Sequence, residues 1–289
     1  MTGPTPAFDP TADPRIGQLA ERLAVVRSRI VAAARRAGRD PDTVTLIAVT
    51  KFFPAADVLR LAALGVTEVG ENREQEAAVK HGDVVGLAGL AGRTGVDGPG
   101  GAGLGGAGLG GAGRGGAGFG GPGRPGAGKA DVEHLRWHMI GQLQTNKARA
   151  VLRWASSVQS VDRLRLVTAL SRAAADTGRT VDCLVQVGLG ASADGRGGAD
   201  PDLVPELAAA VAAAAGLRLR GLMAVAPLGA DPGPAMARLA GLHQRVRTDH
   251  PAATDLSAGM SGDLEAAVAA GATHVRIGSA LLGQRPAPV

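Results

Sequence analysis

The side chain best suited to covalent chemistry in this sequence is Lys51, the last residue of the apolar run 45–51. This run has the composition of a buried strand, so it places one amine at the carboxyl end of a strand. Side chains that handle ligands collect there in repeated βα units, because the loops above the strands vary while the sheet below stays packed. Phe52 and Phe53 follow directly. Apolar neighbours disfavour the ammonium form, so Lys51 is a candidate for Schiff-base formation with an aldehyde. A single lysine at a strand end is more often a plain surface residue, so the other strand ends must decide.

Eight short apolar segments alternate with amphipathic or alanine-rich segments. The predicted strands are 46–50, 68–71, 137–141, 157–161, 181–187, 220–224, 255–259 and 274–278. The predicted helices are 16–37, 57–64, 146–154, 164–177, 203–215, 235–249 and 263–270. Several helices are followed by a glycine where a left-handed cap is wanted, at Gly65, Gly178, Gly216 and Gly271. The alternation predicts an α/β fold, a (β/α)8 TIM-type barrel with an extra N-terminal helix.

A glycine-rich stretch at residues 86–128 interrupts this alternation with tandem Gly-Gly-Ala-Gly pentapeptides. Glycine at every third position, as in collagen, is not found there. With few side chains to bury, the stretch cannot offset the entropy lost on ordering, so we predict a disordered low-complexity loop. The predicted organisation is a flexible N-terminus at 1–15 and a single barrel domain at 16–289 that contains this loop. Its scattered arginines leave RNA binding open as an alternative.

Amino-acid composition and net charge limit the classes of protein to which this sequence can belong. A chain of 289 residues with 45% hydrophobic content can bury a large core. The first twenty residues hold four prolines and no apolar run, so we expect neither a signal peptide nor a membrane span, and a cytoplasmic protein. Cys183 is the only cysteine, and the histidines lack metal-ligand spacing, so no disulfide or metal site is expected. The net charge of +5 suits a phosphorylated small molecule as well as a nucleic acid.

Small and hydroxyl-bearing residues follow the last two predicted strands. Ser257, Gly259 and Ser261 lie at the seventh, and Gly278 and Ser279 at the eighth. Phosphate sites in such barrels are commonly built by these two loops, because small residues let backbone N–H groups approach an anion. The simpler alternative is that Ser261 only caps the helix that begins near Gly262.

These residues belong to longer motifs that carry a family resemblance. The motifs are Leu46–Lys51, Gly70–Asn72, Trp137–Lys147, Asp162–Leu164, Leu219–Ala224, Leu256–Ser261 and Val275–Ala280. They run in order through nearly all of the chain outside the glycine-rich stretch and the first fifteen residues. The chain resembles the pyridoxal phosphate homeostasis proteins, single-domain members of fold-type III that are similar to the N-terminal barrel of alanine racemase. Gln142 departs from the motif, since a proline is frequent at that position.

The resemblance implies a site for pyridoxal 5′-phosphate (PLP). Lys51 would form the Schiff base, Asn72 would lie beside the ring, and Arg276 would face the pyridine nitrogen. The implied phosphate end and remaining cofactor contacts comprise Met223, Ser257, Met260, Ser261, Gly278 and Ser279. Trp137 and His138, in contrast, are expected to serve packing rather than catalysis.

The same resemblance indicates a cofactor carrier rather than an enzyme. An arginine at the pyridine nitrogen keeps that nitrogen unprotonated and weakens the cofactor as an electron sink. Related racemases use a tyrosine as second base, and this sequence has no tyrosine and no additional β-domain. We therefore expect a monomer that buffers PLP or delivers it to PLP-dependent apo-enzymes, without membrane or nucleic-acid partners. A racemase of low activity with another second base, or a Schiff-base aldolase acting on a sugar phosphate, remains an alternative.

Overall fold

Eight parallel strands close into a barrel in the order β1 to β8, with β8 pairing back to β1. The computed structural model describes residues 13–93, 132–190, 197–227 and 229–285. The strands are β1 Thr45–Val49, β2 Glu68–Glu71, β3 Arg136–Met139, β4 Ser157–Val161, β5 Val181–Val187, β6 Leu217–Ala224, β7 Asp255–Ser257 and β8 His274–Ile277. This arrangement confirms the predicted (β/α)8 fold, and three of the strands have the predicted bounds.

Helices surround the barrel. They are α1 Pro14–Arg36, α2 Ala55–Ala63, α3 Glu74–Arg93, α4 Ala148–Val151, α5 Leu164–Thr177, α6 Val204–Ala213, α7 Pro232–Asp249, α8 Leu264–Ala269 and α9 Ser279–Leu282. Short 3-10 helices occupy Pro41–Thr43, Val132–His134, Thr145–Lys147 and Pro201–Leu203. None of the helices in these described ranges is both long and apolar enough to cross a membrane.

The additional helix α1 packs against α8, α9 and α2 beside the barrel. Its buried face carries Leu19, Leu23, Val26 and Ile30 at spacings of three and four residues, as expected for an amphipathic helix. Arg29 donates from Nε and Nη2 to the two oxygens of Glu265, both at 2.9 Å, and so ties α1 to α8. The helix therefore braces the region where β7 and β8 end.

Strand alternation separates an apolar outer layer from a polar barrel interior. Leu46 and Ala48 belong to the core between strands and helices, whereas Ile47 points inward against Gly70. Farther round the barrel, the inward positions carry polar side chains from β3, β4, β7 and β8. These are His138, Gln159, Ser257 and Arg276, all of them buried. The interior of this barrel is thus largely a hydrogen-bonded layer.

The structure corrects several predicted boundaries. Helix α3 continues to Arg93, so residues 86–93 of the predicted loop are helical, and residues 94–128 lie outside the described ranges. The predicted helix 146–154 is a 3-10 turn followed by the single turn α4. Neither α3 nor α9 was among the predicted helices. The glycines predicted to follow helices all adopt left-handed φ, between +62° and +98°.

Among the described glycines, Gly221 leaves the least room for a side chain. Its φ is +149°, and an added Cβ would lie 1.8 Å from the carbonyl oxygen of Asp255. We expect Gly221→Ala to lower the free energy of unfolding by about 3 kcal/mol or more, because strain and overlap act together. Gly241→Ala is the matched control. Gly241 lies inside α7 with open space around it, so alanine there should raise stability by about 0.5–1 kcal/mol. Urea unfolding of both variants checks this, and equal effects would contradict it.

Candidate functional site

Lys51 and Asn72 follow the carboxyl ends of the neighbouring strands β1 and β2. Thr50 and Glu71, the residues directly before Lys51 and Asn72, point the other way and meet Lys80 of α3. Glu71 Oε1 accepts hydrogen bonds from Thr50 Oγ1 and from Lys80 Nζ, both at 2.6 Å. Lys80 Nζ also donates to the Thr50 carbonyl oxygen at 2.8 Å. This buried triad holds the two strand ends from behind, so that Lys51 and Asn72 lie on the inner side of the barrel mouth.

Phe52 turns the backbone sharply just after Lys51. Its φ of +70° is the only positive value for a non-glycine residue in the described part of the chain. A bulky residue in this region costs about 1–3 kcal/mol, and such strain clusters at functional sites. The Phe52 ring lies 5.8 Å from Lys51 Nζ and 3.7 Å from the guanidinium carbon of Arg285. Two cations therefore flank this ring at the mouth.

Asn72 is held from the side of β3. An added Cβ on Gly141 would lie 2.0 Å from the Asn72 carbonyl oxygen, so only glycine fits where the chain leaves β3. The backbone continues this contact, because Ile140 N donates to the Glu71 carbonyl oxygen at 2.9 Å. Gly141 thus sets the position of Asn72.

Arg276 lies inside the barrel on β8 and is 3% exposed. Its Nη1 donates to Ser257 Oγ and its Nη2 to the Ala224 carbonyl oxygen, both at 2.7 Å. Burial lowers its pKa to about 10 despite the opposing charge of Asp263. No carboxylate within the described ranges forms an ion pair with this guanidinium by distance. Arg276 is therefore a buried cation held by neutral acceptors.

The loops after β7 and β8 come together at Ser261. Ser261 Oγ lies 3.4 Å from the backbone nitrogen of Ala280, and the Ser261 carbonyl oxygen accepts from Arg29 Nη2 at 3.0 Å. Ser261 does not cap α8, contrary to the simpler alternative. The residue before α8 is Asp263, whose Oδ1 accepts from Met260 N at 2.6 Å. The hydroxyl of Ser261 thus faces the turn that starts α9.

The residues predicted for the site fall into two levels. Lys51, Asn72, Met260, Ser261, Gly278 and Ser279 are at least partly exposed, whereas Met223, Ser257 and Arg276 are buried within the barrel. Ser257 Oγ accepts from Arg276 and donates to Gln159 Oε1 at 2.8 Å, so its hydroxyl proton is already engaged. This assigns Ser257 to the support of Arg276. Within the described ranges, no group of histidine, cysteine or acidic side chains is arranged to hold a metal ion.

Sequence reasoning missed the polar layer below Arg276. Gln159 Nε2 lies 3.0 Å from His138 Nδ1, and His138 Nε2 makes a short hydrogen bond to Glu68. His138 was expected to serve packing, and it is buried, but both ring nitrogens have partners. The available signal was the polar alternation Ser157, Gln159 within a buried strand, since every residue of β4 is buried.

Two pKa values are shifted at the lower end of this layer. Burial alone would raise the pKa of Glu68, but the hydrogen bond from His138 and the charge of Arg136 lower it below its ordinary value. Burial lowers the pKa of His274, and the charges of Asp255 and Glu68 oppose this only in part. His274 is therefore neutral at neutral pH.

Comparisons with known proteins support one family. The family described as alanine racemase, N-terminal domain, matches residues 22–286. The chain is similar to the pyridoxal phosphate homeostasis protein of Mycobacterium tuberculosis, with 42% identity over 290 residues that cover 96% of this chain and 98% of the relative. The structure of PipY from Synechococcus elongatus with PLP bound is 30% identical, has a TM-score of 0.68, and covers 92% of this chain and 100% of its own. Alanine racemase of Corynebacterium glutamicum, at 13% identity and a TM-score of 0.58 over 94% of this chain and 62% of its own, shares the fold alone.

The neutral state of His274 gives a pH dependence of stability. Its folded pKa lies below the ordinary value of 6.5, so its contribution is complete above that pH and is lost as the pH falls toward the folded pKa. Unfolding then takes up a proton, and stability falls by up to about 1.4 kcal/mol per pH unit. We expect His274→Asn to flatten this slope below about pH 6.5. Thr248→Ala, an exposed change on α7 that removes no titratable group, is the control and should leave it unchanged. Urea unfolding at several pH values measures both, and an unaltered slope in His274→Asn would refute the assignment.

Proposed function

Because this chain belongs to the pyridoxal phosphate homeostasis proteins, we propose that it binds PLP through a Schiff base at Lys51 and buffers or delivers it in the cytoplasm. The family name and a PLP-bound relative support the cofactor. The observation on this chain that supports the proposal most directly is the position of Lys51 at the barrel mouth.

The other lysines are poorly placed for this role. The chain has four, at positions 51, 80, 129 and 147. Lys80 is buried in its 2.6 Å pair with Glu71, and Lys147 lies 3.8 Å from Glu74. Lys129 falls outside the described residues. Among the described lysines, Lys51 alone has no carboxylate within ion-pair distance, and it is close to an aromatic ring. No carboxylate therefore competes with an aldehyde for the Lys51 amine, which leaves it available for Schiff-base formation.

The other residues of the site suit the charge and the hydrogen-bonding atoms of the cofactor. Arg276 uses two of its five N–H groups on neutral acceptors, and a guanidinium can only donate. A pyridine nitrogen facing it would have to be an unprotonated acceptor. The loops around Ser261 and Gly278 offer small residues and hydroxyls to a phosphate, and the net charge of +5 favours an anion.

Holding the cofactor is favoured over catalysis by the lack of a second base. PLP supplies an electron sink when bound, and racemization then needs a proton donor on the face opposite the lysine. The sequence contains no tyrosine. His138 is buried inside the barrel, and His274 begins β8 at the amino end of the strands. His243 bonds to the Ala253 carbonyl oxygen, and His81 packs on Trp137. The other two, His134 and His250, precede β3 and β7 and so lie toward the amino ends of the strands. Neither a tyrosine nor a histidine is thus placed at the mouth to serve as second base, which disfavours the racemase alternative.

Delivery requires the bond to be reversible. A lysine Schiff base exchanges with other amines, so the recipients we propose are PLP-dependent apo-enzymes, served by a monomeric carrier. Neither a membrane nor a nucleic acid has a part in this proposal.

The Lys51 assignment has a direct test. Borohydride reduction of the PLP-loaded protein should fix the pyridoxyl group on the peptide that contains Lys51, and the visible absorbance should disappear. Lys51→Ala should show neither, whereas Lys147→Ala, which alters a lysine beside Glu74, should label at Lys51 as before. Labelling at Lys80, Lys129 or Lys147 in the parent protein, or none at all, would overturn the assignment.

The restraining role of Arg276 has a separate test. Arg276→Glu should keep the cofactor but place an acceptor at the ring nitrogen, which then binds a proton and deepens the electron sink. We expect the rate of deuterium uptake at Cα of alanine to rise about tenfold or more. Such a rise corresponds to lowering the activation free energy of proton exchange by about the worth of one hydrogen bond to a charged group. Arg276→Gln retains a donor and serves as the control without exchange. Proton NMR measures the uptake. Exchange in the mutant no faster than with free PLP, or rapid exchange in the parent, would contradict the proposal.

A further inference from the structure

Arg276 begins a continuous row of hydrogen-bonded side chains that crosses the barrel interior. Arg276 Nη1 donates to Ser257 Oγ at 2.7 Å, and Ser257 Oγ donates to Gln159 Oε1 at 2.8 Å. Gln159 Nε2 lies 3.0 Å from His138 Nδ1, and His138 Nε2 bonds to Glu68 Oε2. We call these five residues the Arg276–Glu68 chain. They come from β8, β7, β4, β3 and β2.

The donors and acceptors in this chain can be ordered from one end. A guanidinium has no acceptor, so Ser257 Oγ must accept from Arg276. The Ser257 proton then goes to Gln159 Oε1, which turns the Gln159 amide nitrogen toward His138. Because that nitrogen donates, His138 Nδ1 must carry a lone pair. The remaining ring proton lies on Nε2 and goes to the Glu68 carboxylate.

The reversed order is disfavoured at each link. With the Gln159 amide turned over, two donors would face Ser257 Oγ, and the Ser257 proton would lose its acceptor at Gln159 in a place where the residue is 0% exposed. His138 would then need protons on both nitrogens, a charged ring at 3% exposure. The forward order leaves each of these groups with a partner.

Charges at the far end hold Glu68 as the terminal acceptor. Arg136 Nε lies 3.5 Å from Glu68 Oε1, and Arg136 in turn pairs with Asp182 at 2.9 Å. Glu68 begins β2, at the amino end of the strands, whereas Lys51 lies at the carboxyl end. The chain therefore connects the floor of the barrel to the residue just below the site.

We propose that His138 and Glu68 are positioning residues for Arg276, acting through Gln159 and Ser257, so that the guanidinium is presented in one orientation to the PLP ring. This inference rests on the proposed function for its consequence, because it deepens the role of Arg276 in the same site. Neither residue touches the cofactor in this scheme. Their effect is to fix the direction of every hydrogen bond between the barrel floor and Arg276.

The first measurement needs no cofactor. Nitrogen-15 NMR of the histidine rings in the cofactor-free protein, with the His138 signal assigned from its loss in His138→Gln, should show the Nε2–H tautomer at neutral pH. Glu68→Gln should shift that signal, since it removes the charged acceptor. An Nδ1–H tautomer or a doubly protonated His138 ring in the wild-type protein would overturn the proposal, whether or not PLP binds.

The second measurement uses the PLP-loaded protein. Gln159→Met interrupts the Arg276–Glu68 chain with a side chain of similar volume. It should move the pH midpoint of the visible absorbance by about 0.4 to 1 unit, which corresponds to the free energy of one hydrogen bond. Ser257→Ala should do the same, and Ser257→Thr, which keeps the hydroxyl, should restore the wild-type midpoint.

The controls are buried polar residues that do not belong to the Arg276–Glu68 chain. Ser160→Ala alters the neighbour of Gln159 on the same strand, and His243→Asn removes a buried histidine of α7. Both should keep the wild-type midpoint even where the melting temperature falls. Equal shifts in the controls and in the variants of the Arg276–Glu68 chain would show that the shifts come from general packing, and would refute the proposal. Failure of PLP to label Lys51 would instead defeat the proposed function and leave the tautomer result standing.

Discussion

Burial of the Arg276 guanidinium is the constraint on which the barrel interior depends. A cation taken out of water must find acceptors, and a carboxylate would normally be the strongest. Here the acceptors are a hydroxyl and a backbone carbonyl, so the charge is not neutralised locally. The lowered pKa of about 10 records the cost of that burial. In the proposed function, the pyridine nitrogen of PLP would add a third neutral acceptor for the remaining N–H groups of this guanidinium.

The same constraint explains why the barrel has a polar interior. A (β/α)8 barrel is usually filled by layers of branched apolar side chains, and this one places Ile47 inward in that manner. On the side of β3, β4, β7 and β8, hydrogen-bonding side chains replace them. An incomplete polar layer would be worse than an apolar one, because each unpaired buried group costs about 1–3 kcal/mol. Every link of the row from Arg276 to Glu68 is formed, and the row ends at groups with opposite charges. The hydroxyl of Ser157, next to this row on β4, is buried without a partner among the residues that the structure describes.

The parts of the fold that rest on local patterns could be predicted from the sequence, and the non-local parts could not. The strands at 68–71, 157–161 and 181–187 have their predicted bounds, because runs of apolar residues between turn signals define them locally. The extension of α3 into the glycine-rich stretch was missed. Leu87 and Ala88 pack against the core there, and this contact outweighs the poor helix propensity of the glycines. Helix α9 has four residues, too few to show a period.

Residues of the candidate site divide along the same line. The location of Lys51 and Ser261 just beyond the ends of β1 and β7 could be predicted, because a position at a strand end can be read from the sequence. Their contact with a cofactor stays a prediction. Gln159, His138 and Glu68 could not be predicted, since their partners lie up to 98 residues away along the chain and no spacing rule connects them. The packing role expected for His138 was therefore incomplete, because a sequence shows that a histidine is buried more readily than what its nitrogens contact.

The buried level of the site at Arg276 and the level at the barrel mouth around Lys51 are held by different interactions. Below, Arg276 is fixed by hydrogen bonds whose directions leave no freedom. Above, Phe52 holds a strained φ of +70°, a cost of about 1–3 kcal/mol that the surroundings must offset. The guanidinium of Arg285, 3.7 Å from the Phe52 ring, and the triad of Thr50, Glu71 and Lys80 supply contacts on either side of that turn. Lys51 therefore leaves the strand at a constrained turn, above a buried cation held by two hydrogen bonds. If Lys51 and Arg276 hold the cofactor as proposed, this arrangement favours tight holding, because little of the binding energy is spent on ordering the site.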